Sequence, residues 1–283
     1  MELVSIILSS LLALFGGGGW VANAIAHNQL EKAIDSAEEL DIRIDNRPNY
    51  QIAGGKVDRL RVAGRGIKLN QSLRIAKAEL ETEAIALNLG ELNTSSLSAM
   101  RESLKKPLVG AFSVVVTEAD LKDALGSEAL RASLEDVLNS AIANRAGASS
   151  ISYELTSLAI ELKEQNEIVL GVRLRRPIPR QSQPQELNLL LNLGLEAIKG
   201  KQIAVTKLEG TVNDRPISPR LLLGFAEGIS DRLDLDRLQK QGILARLLQL
   251  EVTEDKITVV GFAKMETKAI SVNSQELTTI VRK

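Results

Sequence analysis

The chain has 283 residues and balances 35 Lys+Arg against 36 Asp+Glu, a formal net charge of -1. That length fits one large domain or two small ones, and the balanced charge excludes a basic footprint for nucleic acid spread over the whole chain. One Trp, two Tyr and four Phe among 44% apolar residues mean an aliphatic core without the ring platforms on which single-stranded nucleic acid stacks.

Residues 3–15 are apolar or small and uncharged, Gly16 to Gly19 and Trp20 follow, and the first Lys is Lys32. The Ala24-Ile25-Ala26 ending looks like the cleavage site of a secretory signal, although Glu2 replaces the usual positive n-region. Three readings compete: cleavage after Ala26, an uncleaved anchor, or a buried helix. Residues 3–26 are long enough to cross about 30 Å of hydrocarbon if they stay helical. Gly16 to Gly19 lack the Gly-Lys-Ser/Thr ending of a phosphate loop and read as a hinge.

From Val21 to about Leu40 the apolar spacing predicts a helix. Asp41 to Asp45 then alternates as a strand, residues 46–50 form a turn, and Gly54-Gly55 and Gly64-Arg65-Gly66 punctuate two further strands. Leu73 to Leu89 continues as one or two strands. A long helical block is expected over Glu118 to Arg145, with Thr117 as N-cap, Asp120 three residues on, and an interruption at Gly126-Ser127. Its second part places Leu130, Leu134, Val137, Leu138, Ala141 and Ile142 on one face.

Ile151 to Leu162 and Glu167 to Leu174 alternate across a hairpin turn. Leu187, Leu189, Leu191, Leu193 and Leu195 then occupy every odd position of a strand whose even positions include Asn188, Asn192 and Glu196. Residues 202–212 form another strand, Pro216 to Ile229 a helix, and Asp231 to Gly242 a short helix or turn. Leu247 to Thr253 and Lys256 to Met265 make a last hairpin. Tight turns between strands imply a mostly antiparallel α+β fold. Strands of ten residues, about 33 Å, leave a large aliphatic face to cover.

Catalytic motifs are sparse. Cysteine is absent and His27 is the one histidine, which excludes thiol nucleophiles, disulfides and Cys-based zinc sites. A Ser-His-Asp triad would have to use His27. Ser103-Leu104-Lys105-Lys106 matches S-x-x-K without its K-T-G or S-D-N partners. Asp231, Asp234 and Asp236 lack the glycine and closing glutamate of a calcium loop. No cofactor or metal is expected.

The segment from Asp45 through Pro48, Gly54-Gly55-Lys56-Val57 and Arg59-Leu60-Arg61-Val62 to Gly66 resembles the LmeA-like phospholipid-binding family. The Gly242-Ile243-Leu244-Ala245-Arg246-Leu247-Leu248-Gln249-Leu250 run before a hairpin is similar to that family too. The resemblance covers about residues 27–265, and the N-terminal wording looks like cyanobacterial members. It implies a tubular lipid-binding (TULIP-like) architecture, in which a long curved antiparallel sheet wraps a long amphipathic helix. It also implies phospholipid as ligand, a membrane surface as partner, no catalysis and a place in the cell envelope, periplasmic or lumenal. Residues 1–26 would be the signal or anchor and 27–283 a single lipid-binding domain.

The residues offer candidates for that role. Leu187, Leu189, Leu191, Leu193 and Leu195, with Leu134 and Leu138, form either a groove wall for acyl chains or plain core. Arg173, Arg175 and Arg176 form the densest basic cluster, suited to headgroups or a membrane surface or simply to a solvated strand end. Arg59 and Arg61 belong to a second basic zone, where nine Lys/Arg from Arg43 to Lys77 stand against Asp41, Asp45 and Asp58. That zone suits an acidic lipid surface or serves only to solubilise a sheet face. Two rival functions remain open: a membrane-tethered scaffold for a protein partner, and a lipid hydrolase or transferase.

Overall fold

The computed structural model describes residues 36–69, 73–91, 97–128, 131–132, 135, 153–176 and 185–267. The N-terminal apolar segment, most of the block expected to be helical beyond Glu128, with Leu134 and Leu138, and residues 177–184 lie outside the described residues.

Two antiparallel sheets account for most of the described residues. The first is six-stranded and is built from β1 (Glu39–Asp45), β3 (Arg59–Leu69), β4 (Leu73–Thr82), β6 (Leu108–Thr117), β13 (Lys256–Met265) and β12 (Ile243–Val252), in that spatial order. The second is five-stranded, in the order β11 (Arg215–Pro216), β10 (Gln202–Val212), β9 (Gln185–Ile198), β8 (Glu167–Arg176), β7 (Glu154–Lys163). The short strands β2 (Lys56–Val57) and β5 (Ile85–Ala86) pair separately. The helices bounded within the described residues are α1 (Leu97–Ser103), α2 (Glu118–Gly126) and α3 (Pro219–Arg232). The class is the expected antiparallel α+β. Among the described residues no helix is long and apolar enough to cross a membrane.

Each long strand puts alternate residues on opposite faces, and in the six-stranded sheet the aliphatic set stays in register. Ile42 faces Val62, Val62 faces Leu80, Leu80 faces Phe112, and Phe112 faces Gly261. The end of this face beside α1 is closed by the chain itself. Val57 of β2, Ile85 of β5, Leu87, Met100 and Leu104 cover Leu60, Leu108, Ile243 and Met265 in one core. Gly55 makes that closure possible: at φ 76 its carbonyl accepts from Leu87 N at 2.8 Å, and a Cβ there would sit 2.5 Å from the Leu87 carbonyl oxygen.

The sheets meet where the turns of the second one touch the edge strand of the first. Asn166 Oδ1, in the β7–β8 turn, accepts from Val252 N at 2.6 Å, and Gly200 O, in the β9–β10 turn, accepts from Leu247 N at 2.7 Å. A third core bridges them, with Leu162, Ile168 and Leu193 packed against Val252, Ile257 and Leu121. α2 sits at this junction, and it begins with the expected capping box between Thr117 and Asp120. Asp120 also holds Arg74 of β4 at 2.8 Å, and Leu162 N donates to Glu118 Oε2 at 2.6 Å. Such caps contribute on the order of 1 kcal/mol.

Several boundaries differ from expectation. Ser36 already bridges Lys68 and Glu39 opens β1, so the described end of the segment expected to be helical to Leu40 is extended. Gly64 and Gly66 do not break a strand; β3 runs through both. The helix expected from Pro216 starts at Pro219 behind Ser218, because Arg215–Pro216 pairs with the end of β10. β12 starts at Ile243, so the Gly242 to Leu250 run is the first strand of the hairpin itself. The strand expected from Ile151 is assigned from Glu154.

Candidate functional site

Strand register turns the leucine ladder into one column of a wider aliphatic face. Leu193 of β9 aligns with Ile168, Leu162 and Leu208, and Leu191 with Leu170, Ile160 and Gly210. Leu189 aligns with Val172, Leu158 and Val212, and Leu187 with Leu174 and Leu155. No polar side chain interrupts these rows.

Burial divides the face. Leu162, Ile168 and Leu193 are buried at the junction with the other sheet, and Leu155 and Leu174 at the far end. Between them, Leu158, Ile160, Leu170, Val172, Leu189 and Leu191 stay only half-buried, as do Leu187 and Leu195. At Gly210 the missing side chain leaves room for Leu191, whose Cδ2 lies 2.6 Å from where a Cβ would stand, and for Ile217 Cδ1 at 3.2 Å. The middle of the face is thus a concentrated aliphatic surface that the described chain covers only in part.

The margins of this sheet are occupied. On β7, Leu155 N donates to Glu135 Oε2 at 3.2 Å, and Arg131 Nη2 donates to the carbonyls of Leu155 and Thr156 at 2.9 and 3.2 Å. Residues 128, 131, 132 and 135 are helical, in line with the second part of the expected helical block. On β10, Ser230 Oγ of α3 accepts from Val205 N at 3.0 Å and donates to Ala226 O at 2.8 Å. Covering both edges suppresses strand addition at them.

The expected basic residues separate by face. Arg173 and Arg175 project from the polar face, opposite the leucines: Arg173 Nε donates to Asn188 Oδ1 at 3.1 Å, and Arg175 pairs with Glu154 at 2.6 Å. Arg176, two residues past Leu174, shares the aliphatic side at the far end of the sheet. Arg59 and Arg61 stand elsewhere, on the polar face of the six-stranded sheet, with Arg59 at 3.3 Å from Glu81 and Arg61 at 3.1 Å from Asp45. The hydrogen bond from Arg43 outweighs desolvation and, with the charges of Arg43, Arg61 and Arg59, holds the Asp45 carboxyl below its usual range. This second basic zone is therefore interleaved with its own carboxylates.

The catalytic candidates have structural occupations. Ser103 is buried, and its hydroxyl donates to Glu91 O at 2.7 Å and Ala99 O at 3.3 Å. Asp234 caps the 3-10 turn Leu235–Gln241 by accepting from Asp236 N, while Asp236 pairs with Lys201 and Arg246, each at 3.2 Å. Among the described residues no group of three metal-ligating side chains is assembled.

An aliphatic face of this extent matches the description of the family to which the chain is similar. The family model described as LmeA-like phospholipid-binding matches residues 13–262. The chain belongs to the LmeA-like phospholipid-binding family. No curated protein matches it. The ladder alone did not name Leu158, Ile160, Leu170 and Val172, which share its face. The signal for them was present, since β7 and β8 alternate with the same period as β9.

Proposed function

We propose that the protein binds phospholipid without chemical turnover, its acyl chains lying on the aliphatic face of β7–β10. One observation carries this reading: two adjacent rows, from Leu158 and Ile160 to Leu189 and Leu191, are purely aliphatic and half-buried between buried ends. Rows two residues apart space at roughly 7 Å, so the face runs about 20 Å along the strands. Each methylene removed from water there contributes about 0.8 kcal/mol. Aliphatic rows do not select among chains, so preference falls to polar groups at the rim, of which Arg176 is on the same side.

The remaining parts of the proposal follow the family and the N-terminus. Residues 27–283 act as a single lipid-binding domain of tubular type, and the apolar segment before them exports or anchors it at a bacterial envelope membrane. Binding and transfer both need only an open aliphatic face, and transfer adds release to a second membrane.

The test is mass spectrometry of lipids extracted from the full chain purified without detergent. Near-stoichiometric phospholipid is expected, and Leu191→Asp should lose most of it while keeping its circular dichroism. A folded, lipid-free wild-type chain would overturn the reading and favour a scaffold for a protein partner.

A further inference from the structure

The end of the five-stranded sheet away from the junction is rich in arginine. It gathers Arg173, Arg175 and Arg176 from β8, Arg215 from β11, and Arg220 from the first turn of α3. Asn213 ties these elements together: its Oδ1 accepts from Asn188 N at 2.9 Å, and its Nδ2 donates to Glu186 O at 3.3 Å. Arg173 reaches the same Asn188 through its side-chain amide oxygen at 3.1 Å. Among the described residues Glu135, Glu154, Glu186 and Asp214 offer negative charge here; Glu154 is taken by Arg175, and Glu135 accepts from Leu155 N. Arg176, Arg215 and Arg220 have no carboxylate partner among the described residues.

α3 runs antiparallel to β10. Ile217 N donates to Gly210 O at 2.9 Å near the helix start, and Ile203 N donates to Leu233 O at 3.4 Å at its end. The first turns of α3 therefore lie at the arginine-rich end. Leu222, Ala226 and Ser230 turn inward, while Leu221 and Leu223 stay in solvent at 38% and 60% exposure. Nothing in the packing of α3 requires Leu223, since it lies off the buried stripe. The segment entering the helix touches the aliphatic face itself, through Ile217 beside Gly210.

Taken together, the geometry points to this end as the surface that docks on an anionic bilayer, with Leu221 and Leu223 entering the interface and Arg176, Arg215 and Arg220 meeting lipid phosphates. Charge complementarity selects the partner, because unpartnered arginines beside exposed leucines match an anionic surface with an apolar layer beneath it. Docked this way, the aliphatic face is brought to the membrane at its α3 margin, where a lipid passes between the two. The inference rests on the lipid-binding reading for its purpose, though not for its test.

The absence of cysteine permits a local readout on the full chain, whatever its N-terminal segment does at the vesicle. An environment-sensitive fluorophore is attached at Leu223→Cys or, as a control on the six-stranded sheet's polar face, at Ala111→Cys. Phosphatidylglycerol/phosphatidylcholine vesicles are expected to blue-shift the Leu223 label and shield it from iodide, while the Ala111 label stays in water. Arg215→Glu with Arg220→Glu should weaken the shielding about tenfold or more, as should about 0.5 M salt. Iodide access at Leu223 unchanged by vesicles, or equal shielding at Ala111, would overturn the docking surface. So would shielding without vesicles that rises with protein concentration, which would assign the face to a second copy. Lipid extraction from the same preparations separates the two ideas: docking with no bound lipid sinks the binding reading alone, and bound lipid without docking sinks this one.

Discussion

The two sheets share one sequence period and end in different states. In the six-stranded sheet, the connections between strands do the covering. The stretch from β1 to β3 supplies β2, and that from β4 to β6 supplies β5 and α1, which together close the core around Leu60 and Leu87. In the five-stranded sheet β7–β8 and β9–β10 are joined by tight turns, with Gln165, Asn166, Lys199 and Gly200 all at positive φ. Turns that short bring no side chains to lay over the strands. Among the described residues, the five-stranded sheet keeps the middle of its aliphatic face only partly covered, where the six-stranded sheet is filled by its own long connections beside α1.

The largest expected effect tests the filled end. Leu87 is fully buried, and Leu87→Ala should cost about 3 kcal/mol, read as a lowered urea midpoint with unchanged slope. Next comes the junction between the sheets. Burial pushes the Asp120 carboxyl up, but the Thr117 hydroxyl and Arg74 outweigh it and hold the group below its usual range. A carboxylate depressed in the folded state stabilises fully above its unfolded value, near 4, and loses that contribution as pH falls through the lower folded value. Asp120→Asn should therefore cost about 1–2 kcal/mol at pH 7, and its difference from wild type should shrink in acid titrations monitored by circular dichroism.

Much of this was legible in the residues, for definite reasons. The β9 ladder and the Thr117–Asp120 cap are local patterns, and both are present as read. Arg173 and Arg175 were separable from Arg176 by alternation alone. Gly66 misled because a glycine inside a strand looks like a break; here it stands at φ 57, and the Glu38 side chain that reaches Arg74 lies where a Cβ would be. The β2–β5 lid and the half-open rows were beyond reach, because coverage depends on elements far apart in sequence. Leu193 and Leu191 share a pattern and differ only in what reaches them from Val252 and Leu121.

That last pair sharpens the contrast within one strand. Leu193→Ala should cost about 2 kcal/mol or more, and Leu191→Ala under about 1 kcal/mol in delipidated protein, by urea titration of each. Restoring phospholipid should widen the gap between Leu191→Ala and wild type, because the wild-type side chain then has a partner to lose. An equal cost for both variants without lipid would mean the middle rows are as filled as the junction.

The smallest effect is expected on the other sheet's polar face. Arg61 lies at 3.1 Å from Asp45 and 3.8 Å from Glu81, and both carboxylates are also served by Arg43 or Arg59. Removing one cation from such an exposed, shared set changes little, since solvent and the neighbouring arginines take over its field. Arg61→Ala should leave the melting temperature and the affinity for anionic vesicles unchanged within error, whereas Arg215→Glu should lower the latter. A loss of vesicle affinity in Arg61→Ala as large as in Arg215→Glu would move the membrane contact to the six-stranded sheet. It would also mean that basic side chains interleaved with acids still present a net positive field, which the pairing of β1, β3 and β4 argues against.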